Sequence, residues 1–371
     1  MKRVTKLLSV LAAGAMFMSA LTGCGGGSKG ADGDTIKVGG LLEMTGGSAS
    51  FGISGKNGID LALKKINEKG VLGGKKLSLV VADTKSEASE ATNGMQKLIS
   101  QDKVVAVIGP NQSSAVIASG AINNGAKVVD ITPLGTTPAV PVDPTTNQVN
   151  PYSFRTCFID PFQGTVMASF ASNELKVKRA AIYIDNTSDY AKGLAQFFKE
   201  NFVKNGGQVV IEEAYLQKDT DFKSTLTKIK AAKPDFIYIP GYYQEVGLIV
   251  KQAREMGIKA ALENTFFSSL YSPDDTSDLN KEFVAEYKKA YNTNPDVFAA
   301  LAYDSTLLVA KAIEDAGSAD PAKIAEAMAK IKGFKGVSGE VTFNEEHNPI
   351  KSAVIIEHKD GKQTFKTKVN P

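Results

Sequence analysis

The sequence contains few of the residues from which catalytic and metal sites are usually built. Of its 371 residues only two are cysteine and two are histidine, and tryptophan is absent. Two cysteines cannot form a disulfide framework, and no cysteine–histidine cluster offers ligands to zinc. The glycine spacings lack the pattern of a dinucleotide-binding loop, and no nucleophile elbow or catalytic triad is present. We therefore expect a protein without metal or cofactor that is not an enzyme.

Net charge is also lacking once the N-terminus is set aside. The formal charge of +3 equals the contribution of Lys2, Arg3 and Lys6. Without these three, the 43 basic residues fall to 40, which balances the 40 acidic residues. A neutral body does not attract nucleic acid or an anionic surface, so we expect neither as a partner.

The N-terminus reads as an export signal that ends in a lipidation motif. The basic residues are followed by the apolar run Leu7–Leu21, which is too short and too rich in small residues for a spanning helix. The run ends in Leu21-Thr22-Gly23-Cys24, which matches the lipobox of bacterial lipoproteins, so cleavage would leave an acylated Cys24. An ordinary secretory signal with an incidental cysteine is the alternative. We expect a signal peptide over 1–23, a flexible tether over 24–34, and a protein anchored outside the cytoplasm, in the periplasm or at the cell surface.

From Thr35 the sequence alternates apolar strands with amphipathic helices. Strands that are almost entirely apolar are typical of parallel sheets covered on both faces. Gly70 and Gly125 are predicted to lie just past helix ends. The predicted strands are 36–42, 77–82, 104–108, 127–131, 179–184, 208–215, 235–239, 265–270, 339–343, 352–358 and 363–366; the predicted helices are 53–69, 87–100, 113–123, 190–205, 221–232, 244–256, 279–291, 296–316 and 321–331.

The body is too long for one hydrophobic core, so the pattern predicts an α/β fold of two doubly wound, Rossmann-like lobes joined by a hinge. We place lobe 1 at 35–154 and 272–343, and lobe 2 at 155–271 and 344–371. Ligand groups are expected in the cleft between the lobes, on loops at the carboxyl ends of strands. A single large α/β enzyme is the alternative, and fold alone does not decide between them.

A series of motifs in a specific order extends from about Thr35 to the C-terminus. They are Val38-Gly39, Thr45-Gly46, Phe51-Gly52, Ala62, Ile66-Asn67, Val107-Ile108-Gly109, Ser113-Ser114, Thr132-Pro133, Thr136, Pro138, Phe154-Arg155-Thr156, Gln163-Gly164, Gly241-Tyr242-Tyr243 and Glu245. Their order and spacing together resemble the leucine/isoleucine/valine type of periplasmic binding protein, which serves ABC importers.

Two strand-end loops offer hydrogen-bond donors to an anion. Ser113 opens a helix, where it can cap that helix or donate to a carboxylate, and capping is the more frequent role for such a serine. The loop from Thr132 to Pro138 can direct the Thr136 hydroxyl and backbone N–H groups toward the same anion, or it can be a simple turn. The resemblance implies that Ser113 and Thr136 bind the ligand's α-carboxylate through their side chains and that Leu134 contributes a backbone contact.

Four aromatic residues match family positions around the ligand's side chain: Phe51, Tyr190, Tyr242 and Phe298. From sequence alone each is more often a core residue than a ligand contact. The resemblance implies that Tyr190 and Tyr242 belong to lobe 2 and reach the ligand only when the cleft closes.

The sequence departs from the family after the helix predicted at 244–256. Ala260 leads almost directly into the strand that begins at Thr265, so a strand–loop–helix unit is absent near residue 260. In the family that loop supplies the carboxylate that pairs with the ligand's ammonium group. Three explanations remain open: another acid replaces it, with Asp160 first and Glu263 second; the ligand lacks an amine; or the second lobe is a damaged variant that folds marginally.

The resemblance favours a monomeric binding protein that delivers an amino acid, of the branched-chain type, to a membrane permease of an ABC importer. A binder of an amine-free carboxylate or amide is an alternative on the same fold. A sensor or chemoreceptor binding protein is another, disfavoured because no transmembrane or signalling segment follows Pro371.

Overall fold

A sheet of parallel strands forms the centre of lobe 1 in the computed structural model, which describes residues 34–261, 265–359 and 361–370. Its elements are β1 (Thr35–Leu42), α1 (Ala49–Lys69), β2 (Lys76–Asp83), α2 (Ala88–Ser100), β3 (Ala106–Ile108), α3 (Ser113–Ala126), β4 (Val129–Thr132) and β5 (Ser153–Arg155). The strand order is β2-β1-β3-β4-β5, and every neighbouring pair is parallel. Helices connect the strands from β1 to β4 and cover both faces of the sheet, whereas a long loop joins β4 to β5.

Lobe 2 contains two separate three-stranded sheets in the part of the chain that the structure describes. One is parallel and is formed, in spatial order, by the strands at 208–215, 179–185 and 236–238; the other is antiparallel and is formed by the strands at 362–369, 353–359 and 265–269. Its elements before the chain returns to lobe 1 are α4 (Asp160–Ser169), which continues as a π-helical turn (Phe170–Glu174), β6 (Arg179–Asp185), α5 (Asp189–Lys204), β7 (Gln208–Tyr215), α6 (Lys223–Ala232), β8 (Phe236–Tyr238), α7 (Tyr243–Glu255), a 3₁₀ turn (Lys259–Ala261) and β9 (Thr265–Ser269).

The chain then adds helices to lobe 1 and ends with two strands in lobe 2. Three of these elements begin with a side-chain cap. Ser277 accepts a hydrogen bond from Asn280 N, Asp296 from Ala299 N, and Asp320 from Ala322 N. The elements are α8 (Asp278–Tyr291), α9 (Val297–Ala316), α10 (Pro321–Met328), β10 (Phe334–Gly336), β11 (Gly339–Val341), β12 (Ala353–Lys359) and β13 (Lys362–Val369).

The buried apolar side chains fall into cores that follow this division. In lobe 1 the first sheet packs against α9 and α10, and α1 packs against α8 and α9. In lobe 2 the face of β8 that carries Phe236 and Tyr238 belongs to the core formed with α4 and α5. Its other face, with Ile237 and Ile239, belongs to the core formed with α6 and α7. Both faces of β8 are therefore covered, as the apolar run of its sequence predicts.

Some local predictions from the sequence are wrong. Gly125 lies inside α3 and does not cap it, because the helix continues to Ala126 and Lys127 adopts the left-handed conformation at its end. The next strand consequently begins at Val129 and not at residue 127. Helix α4 was not predicted, since the chain there follows a long polar crossover and starts with Pro161 at the first turn.

The strand at 265–269 does not fill the position of the missing unit. It pairs with β12, and the register runs from Val354 opposite Ser269 to His358 opposite Thr265. Within the described residues it makes no ladder with β8. Strand β8 and strand β9 therefore both end their sheets as edges, with a space between them.

Candidate functional site

The loop between β3 and α3 is fixed by a buried carboxylate at the end of β1. Glu43 is fully buried and accepts hydrogen bonds from Asn111 N (2.8 Å), Asn111 Nδ2 (2.8 Å) and Gln112 N (3.2 Å). Burial raises the pKa of Glu43, and these hydrogen bonds lower it. Gly109 has a φ of 99°, and a Cβ there would collide with the Leu41 carbonyl. The loop thus holds Ser113 at the start of α3.

The loop that follows β4 is tied to this first loop. The Thr132 hydroxyl donates to Pro110 O at 2.6 Å and accepts from Gly135 N at 2.8 Å. The buried Arg155 guanidinium donates to Gly135 O (2.8 Å) and Thr137 O (2.7 Å). Thr137 N donates to Ser113 Oγ at 3.4 Å, which joins the two loops at the predicted anion site. We call the Ser113 hydroxyl, the Thr136 hydroxyl and their two loops the cradle.

The cradle contains buried polar atoms that have no partner within the protein. Thr136 is 2% exposed, and its Oγ1 makes no hydrogen bond within the protein. Asn111 is also buried, and its Oδ1 likewise makes no hydrogen bond. Buried polar groups in proteins are almost always paired, and an unpaired one costs about 1–3 kcal/mol. An unpaired hydroxyl beside a helix N-terminus is the arrangement expected where an anionic ligand supplies the missing partner.

Aromatic side chains from both lobes enclose the space in front of the cradle. Phe51 of lobe 1 stacks on Phe298 with a centroid distance of 3.9 Å and meets Tyr242 of lobe 2 at 5.8 Å. Tyr242 stacks on Tyr190 at 5.7 Å. Seven of the eight ligand-binding residues predicted from the sequence line one cavity here: Phe51, Ser113, Leu134, Thr136, Tyr190, Tyr242 and Phe298.

The lobes touch across the cleft, so the structure shows a closed arrangement. Ser114 Oγ donates to Asp189 Oδ2 at 2.9 Å, from the start of α3 to the start of α5. At the surface Lys218 pairs with Glu87 at 2.6 Å. Such contacts can form only when the second lobe lies against the first.

The eighth predicted residue, Asp160, lies behind the cradle and not in it. Its side chain is fully buried, is not part of the cavity wall, and has no hydrogen-bond partner at either oxygen. Burial raises the pKa of Asp160 to about 7, while the nearby Thr136 hydroxyl and the Arg155 charge lower it. That hydroxyl is close but not in hydrogen-bonding geometry. Glycine at position 193 keeps α5 close, because a Cβ there would meet Asp160 Oδ2 at 2.8 Å.

The cavity continues from the cradle into the space between β8 and β9, which we call the slot. The whole cavity, cradle and slot together, has a volume of about 1860 Å³, whereas small-molecule pockets usually have about 300–1,000 Å³. The carboxylates that line it are all exposed ones: Asp235, Glu255, Asp274 and Asp296. The slot walls are formed by Pro234–Ile239 of the β8 segment, Thr265–Phe267 of β9, Val246, Gly247 and Val250 of α7, and Met167, Leu175, Val177 and Leu194 on the opposite side.

Sequence reasoning missed two polar residues of this cavity, Gln163 and Asn111, and the buried Glu43 that supports the loop of Asn111. Gln163 Nε2 donates to Tyr190 Oη (3.2 Å) and Ser268 Oγ (3.0 Å), which leaves its Oε1 unpaired. Gln163 belongs to a motif that carries the resemblance, and Asn111 lies in the loop that leads to Ser113, so both could have been predicted as residues of the site. Nothing in the sequence distinguishes Glu43, since a single carboxylate after an apolar strand is usually a surface residue.

Other sequence predictions fall on chemistry or residues that the structure does not place. Within 34–261, 265–359 and 361–370, no group of His, Cys, Asp and Glu could hold a metal ion. In the same part of the chain no helix has both the length and the apolar character needed to cross a membrane. Cys24 and Glu263 lie outside the described residues.

The two-lobed α/β fold with a ligand-sized cavity between the lobes defines a solute-binding protein, and the fold predicted from the sequence is confirmed. The family model for periplasmic binding proteins matches residues 35–261 and 258–363, and the chain belongs to that family. The match is interrupted at the place where the sequence indicates a missing unit.

Similar proteins bear the names of amino-acid binders. The Leu/Ile/Val-binding protein BraC3 of Rhizobium johnstonii is 30% identical over 84% of this chain and 88% of its own. The solved leucine-binding protein LivK of Thermotoga maritima is 36% identical, with a TM-score of 0.85 over 91% of this chain and 99% of that one. LivJ of Streptococcus pneumoniae, solved in complex with isoleucine, is also 36% identical, with a TM-score of 0.84 over 91% and 100%.

Proposed function

We propose that this protein is the extracytoplasmic binding component of an ABC importer, and that it captures an amino acid of the branched-chain type without chemical change. The observation that carries the proposal is the unpaired Thr136 hydroxyl beside Ser113, buried at the carboxyl ends of β3 and β4 and facing aromatic residues of the other lobe. The names of the similar proteins support the choice of ligand.

The cradle suits a carboxylate. Ser113 and Thr136 each offer a hydroxyl donor, the α3 N-terminus adds a partial positive charge, and backbone N–H groups of the loop around Leu134 lie beside them. Hydrogen bonds to a charged acceptor are about twice as strong as neutral ones, so an anion gains most from this arrangement. The Arg155 guanidinium donates to two backbone carbonyls of the loop, so it holds the loop in place and is not a ligand for the anion.

The space in front of the cradle suits an aliphatic side chain. Phe51, Phe298 and Leu134 present apolar surface from lobe 1, and Tyr190 and Tyr242 cover it from lobe 2. Because the two tyrosines approach only on closure, a ligand that contacts both lobes stabilises the closed state relative to the open one.

An amino-acid ligand also needs a carboxylate that pairs with its amine. Asp160 is a buried carboxylate close to Thr136, but its side chain is not part of the cavity wall. A ligand without a free amine needs no such partner, and it is the second candidate because the carboxylates that line the cavity are exposed ones.

Titration calorimetry with a matched ligand set tests these statements. Leucine should bind, and leucinamide, which lacks the carboxylate, should bind at least tenfold more weakly. The amine-free analogue 4-methylpentanoate tests whether the ligand's amine contributes to binding. If it binds as well as leucine, the amine contributes nothing, and if leucine is clearly tighter, Asp160→Asn should remove the difference. Equal binding of leucine and leucinamide would refute the cradle.

The proposal includes anchoring by lipid on Cys24, a tether to residue 34, a monomeric body and the lobe boundaries near residues 154, 271 and 343. The lipobox is the observation behind the anchor. Cys24→Ser should move the protein from the membrane fraction to the soluble extracytoplasmic fraction. Retention of this variant in the membrane would contradict the anchor without affecting the binding site.

A further inference from the structure

Two strand edges face each other across the slot with no strand between them. Strand β8 pairs only with β6, and β9 pairs only with β12, among the residues that the structure describes. Each edge presents backbone N–H and C=O groups at the spacing of a sheet ladder. A second backbone in extended conformation is the partner that matches such a row, which is the basis of peptide binding by strand addition.

The covering layers of the slot select an apolar occupant. On one side lie Val246 and Val250 of α7, and on the other lie Met167, Leu175 and Leu194. A strand between two such layers is buried on both faces and is normally a continuous apolar run. On the sheet of β9, Phe267 (40% exposed) and Phe365 (49% exposed) flank Ile356 in register, so apolar surface near the slot is left uncovered.

The slot opens into the cradle, and its direction is set by β8. The chain leaves the carboxyl end of β8 through Pro240 and Gly241 and arrives at Tyr242 beside the ligand space. Any strand parallel to β8 in the slot would therefore point its C-terminus toward Ser113 and Thr136. A free C-terminal carboxylate at that end is the anion that the cradle suits.

We propose that the site of this protein also binds a short apolar peptide, with its C-terminal carboxylate in the cradle and its preceding residues extended in the slot between β8 and β9. The inference rests on the cradle of the proposed function. It explains two features together. Over the described ranges of the chain, the cavity wall has no buried carboxylate for an amine, and the nitrogen of a peptide's last residue is a neutral amide that needs none. The cavity is also larger than one amino acid requires, and the preceding residues of a peptide would occupy the additional space. The wall from Phe236 to Tyr242 is seven residues, or about 20 Å at about 3.3 Å per step, which leaves room for an extended peptide of five residues.

Calorimetry with four probes tests peptide binding: Ala-Val-Ala-Val-Leu as the free acid, the same peptide as the C-terminal amide, N-acetylleucine and leucine. The acid peptide should bind at least tenfold more tightly than leucine, and amidation should weaken it at least tenfold. N-acetylleucine should bind at least as well as leucine. Leucine binding tighter than both N-acetylleucine and the acid peptide would overturn the inference while leaving the proposed function intact. Failure of every probe to bind would instead refute the cradle and with it the proposed function.

A glycine on α7 allows the slot to be blocked without disturbing the core. A Cβ at Gly247 would meet nothing within 4 Å, and the residue lines the cavity. Gly247→Leu adds a helix-favouring residue, so the melting temperature should not fall. It should weaken the acid peptide at least tenfold more than it weakens leucine. Gly120→Leu is the matched control, because Gly120 is also a helical glycine with open space and lies outside the cavity wall, so it should leave both affinities unchanged.

Equal effects of Gly247→Leu on the two ligands would overturn the slot as the peptide site. A stable dimer in sedimentation, unaffected by the acid peptide, would assign the slot to a second copy of the chain and would also overturn the inference.

Discussion

Replacing Thr136 by valine should change stability and affinity in opposite directions. Valine keeps the shape of threonine and removes the hydroxyl, which is buried and makes no hydrogen bond within the protein. At pH 5 Asp160, with its pKa of about 7, is protonated, so the hydroxyl stabilises no charge there. Removing an unsatisfied buried hydroxyl should then raise the free energy of unfolding of the protein without ligand by about 1 kcal/mol. The same change removes a hydrogen bond to a charged ligand, worth about 1.5–3 kcal/mol, so Kd should rise about 10- to 150-fold.

Urea unfolding of the ligand-free protein at pH 5 and titration calorimetry with leucine measure the two effects. Thr306→Val is the matched control, because Thr306 is also buried but its hydroxyl donates to Ala302 O at 2.7 Å within α9. That variant should not gain stability and should leave affinity unchanged. If Thr136→Val lost stability, or kept full affinity, the assignment of an unpaired ligand-binding hydroxyl at Thr136 would be wrong.

Three further substitutions test the site and its support. Ser113→Ala should weaken leucine by about 1–3 kcal/mol in calorimetry, and unchanged affinity would exclude its hydroxyl from the site. The folded pKa of Asp160, about 7, lies above the ordinary 3.8. The folded protein thus holds this proton more tightly, and stability falls as pH rises from about 4 to about 7, by up to about 4 kcal/mol. Asp160→Asn should flatten this slope in urea unfolding, whereas an unchanged slope would contradict the burial of an ionisable Asp160. Asp304 accepts hydrogen bonds from Val337 N and Ser338 N (both 2.9 Å) and lies near buried Lys351, whose pKa burial lowers to about 8. Asp304→Asn should destabilise the protein by about 3–5 kcal/mol, since it leaves a buried cation uncompensated, and a neutral result would show that Lys351 is not charged there.

The positions of Ser113 and Thr136 were predictable because the carboxyl ends of neighbouring parallel strands meet at one edge of a sheet. The aromatic residues Phe51 and Phe298 came from resemblance alone. Each lies in the first turn of a helix whose sequence gives no reason to distinguish a ligand contact from a core residue. The stacking of the two rings across elements far apart in the chain is a tertiary fact that periodicity does not contain.

The burial of Asp160 and the pairing of the strand at 265–269 were not predictable, because both depend on contacts between distant parts of the chain. Burial of Asp160 depends on Gly193 letting α5 approach, which is a contact between helices. The strand at 265–269 had two edges on which to pair, and its register with β12 leaves the slot open. The sequence indicated that a strand–loop–helix unit is absent near residue 260. Only the pairing of the strand at 265–269 with β12 shows that the space between β8 and β9 stays open.

A crystal structure of the protein grown with isoleucine tests the central claim most directly. We predict that the carboxylate of isoleucine lies between the lobes, with its oxygens about 2.5–3.0 Å from both the Ser113 and the Thr136 hydroxyl oxygens. Isoleucine bound at another place, with both hydroxyls left unpaired in an empty cleft, would contradict the account.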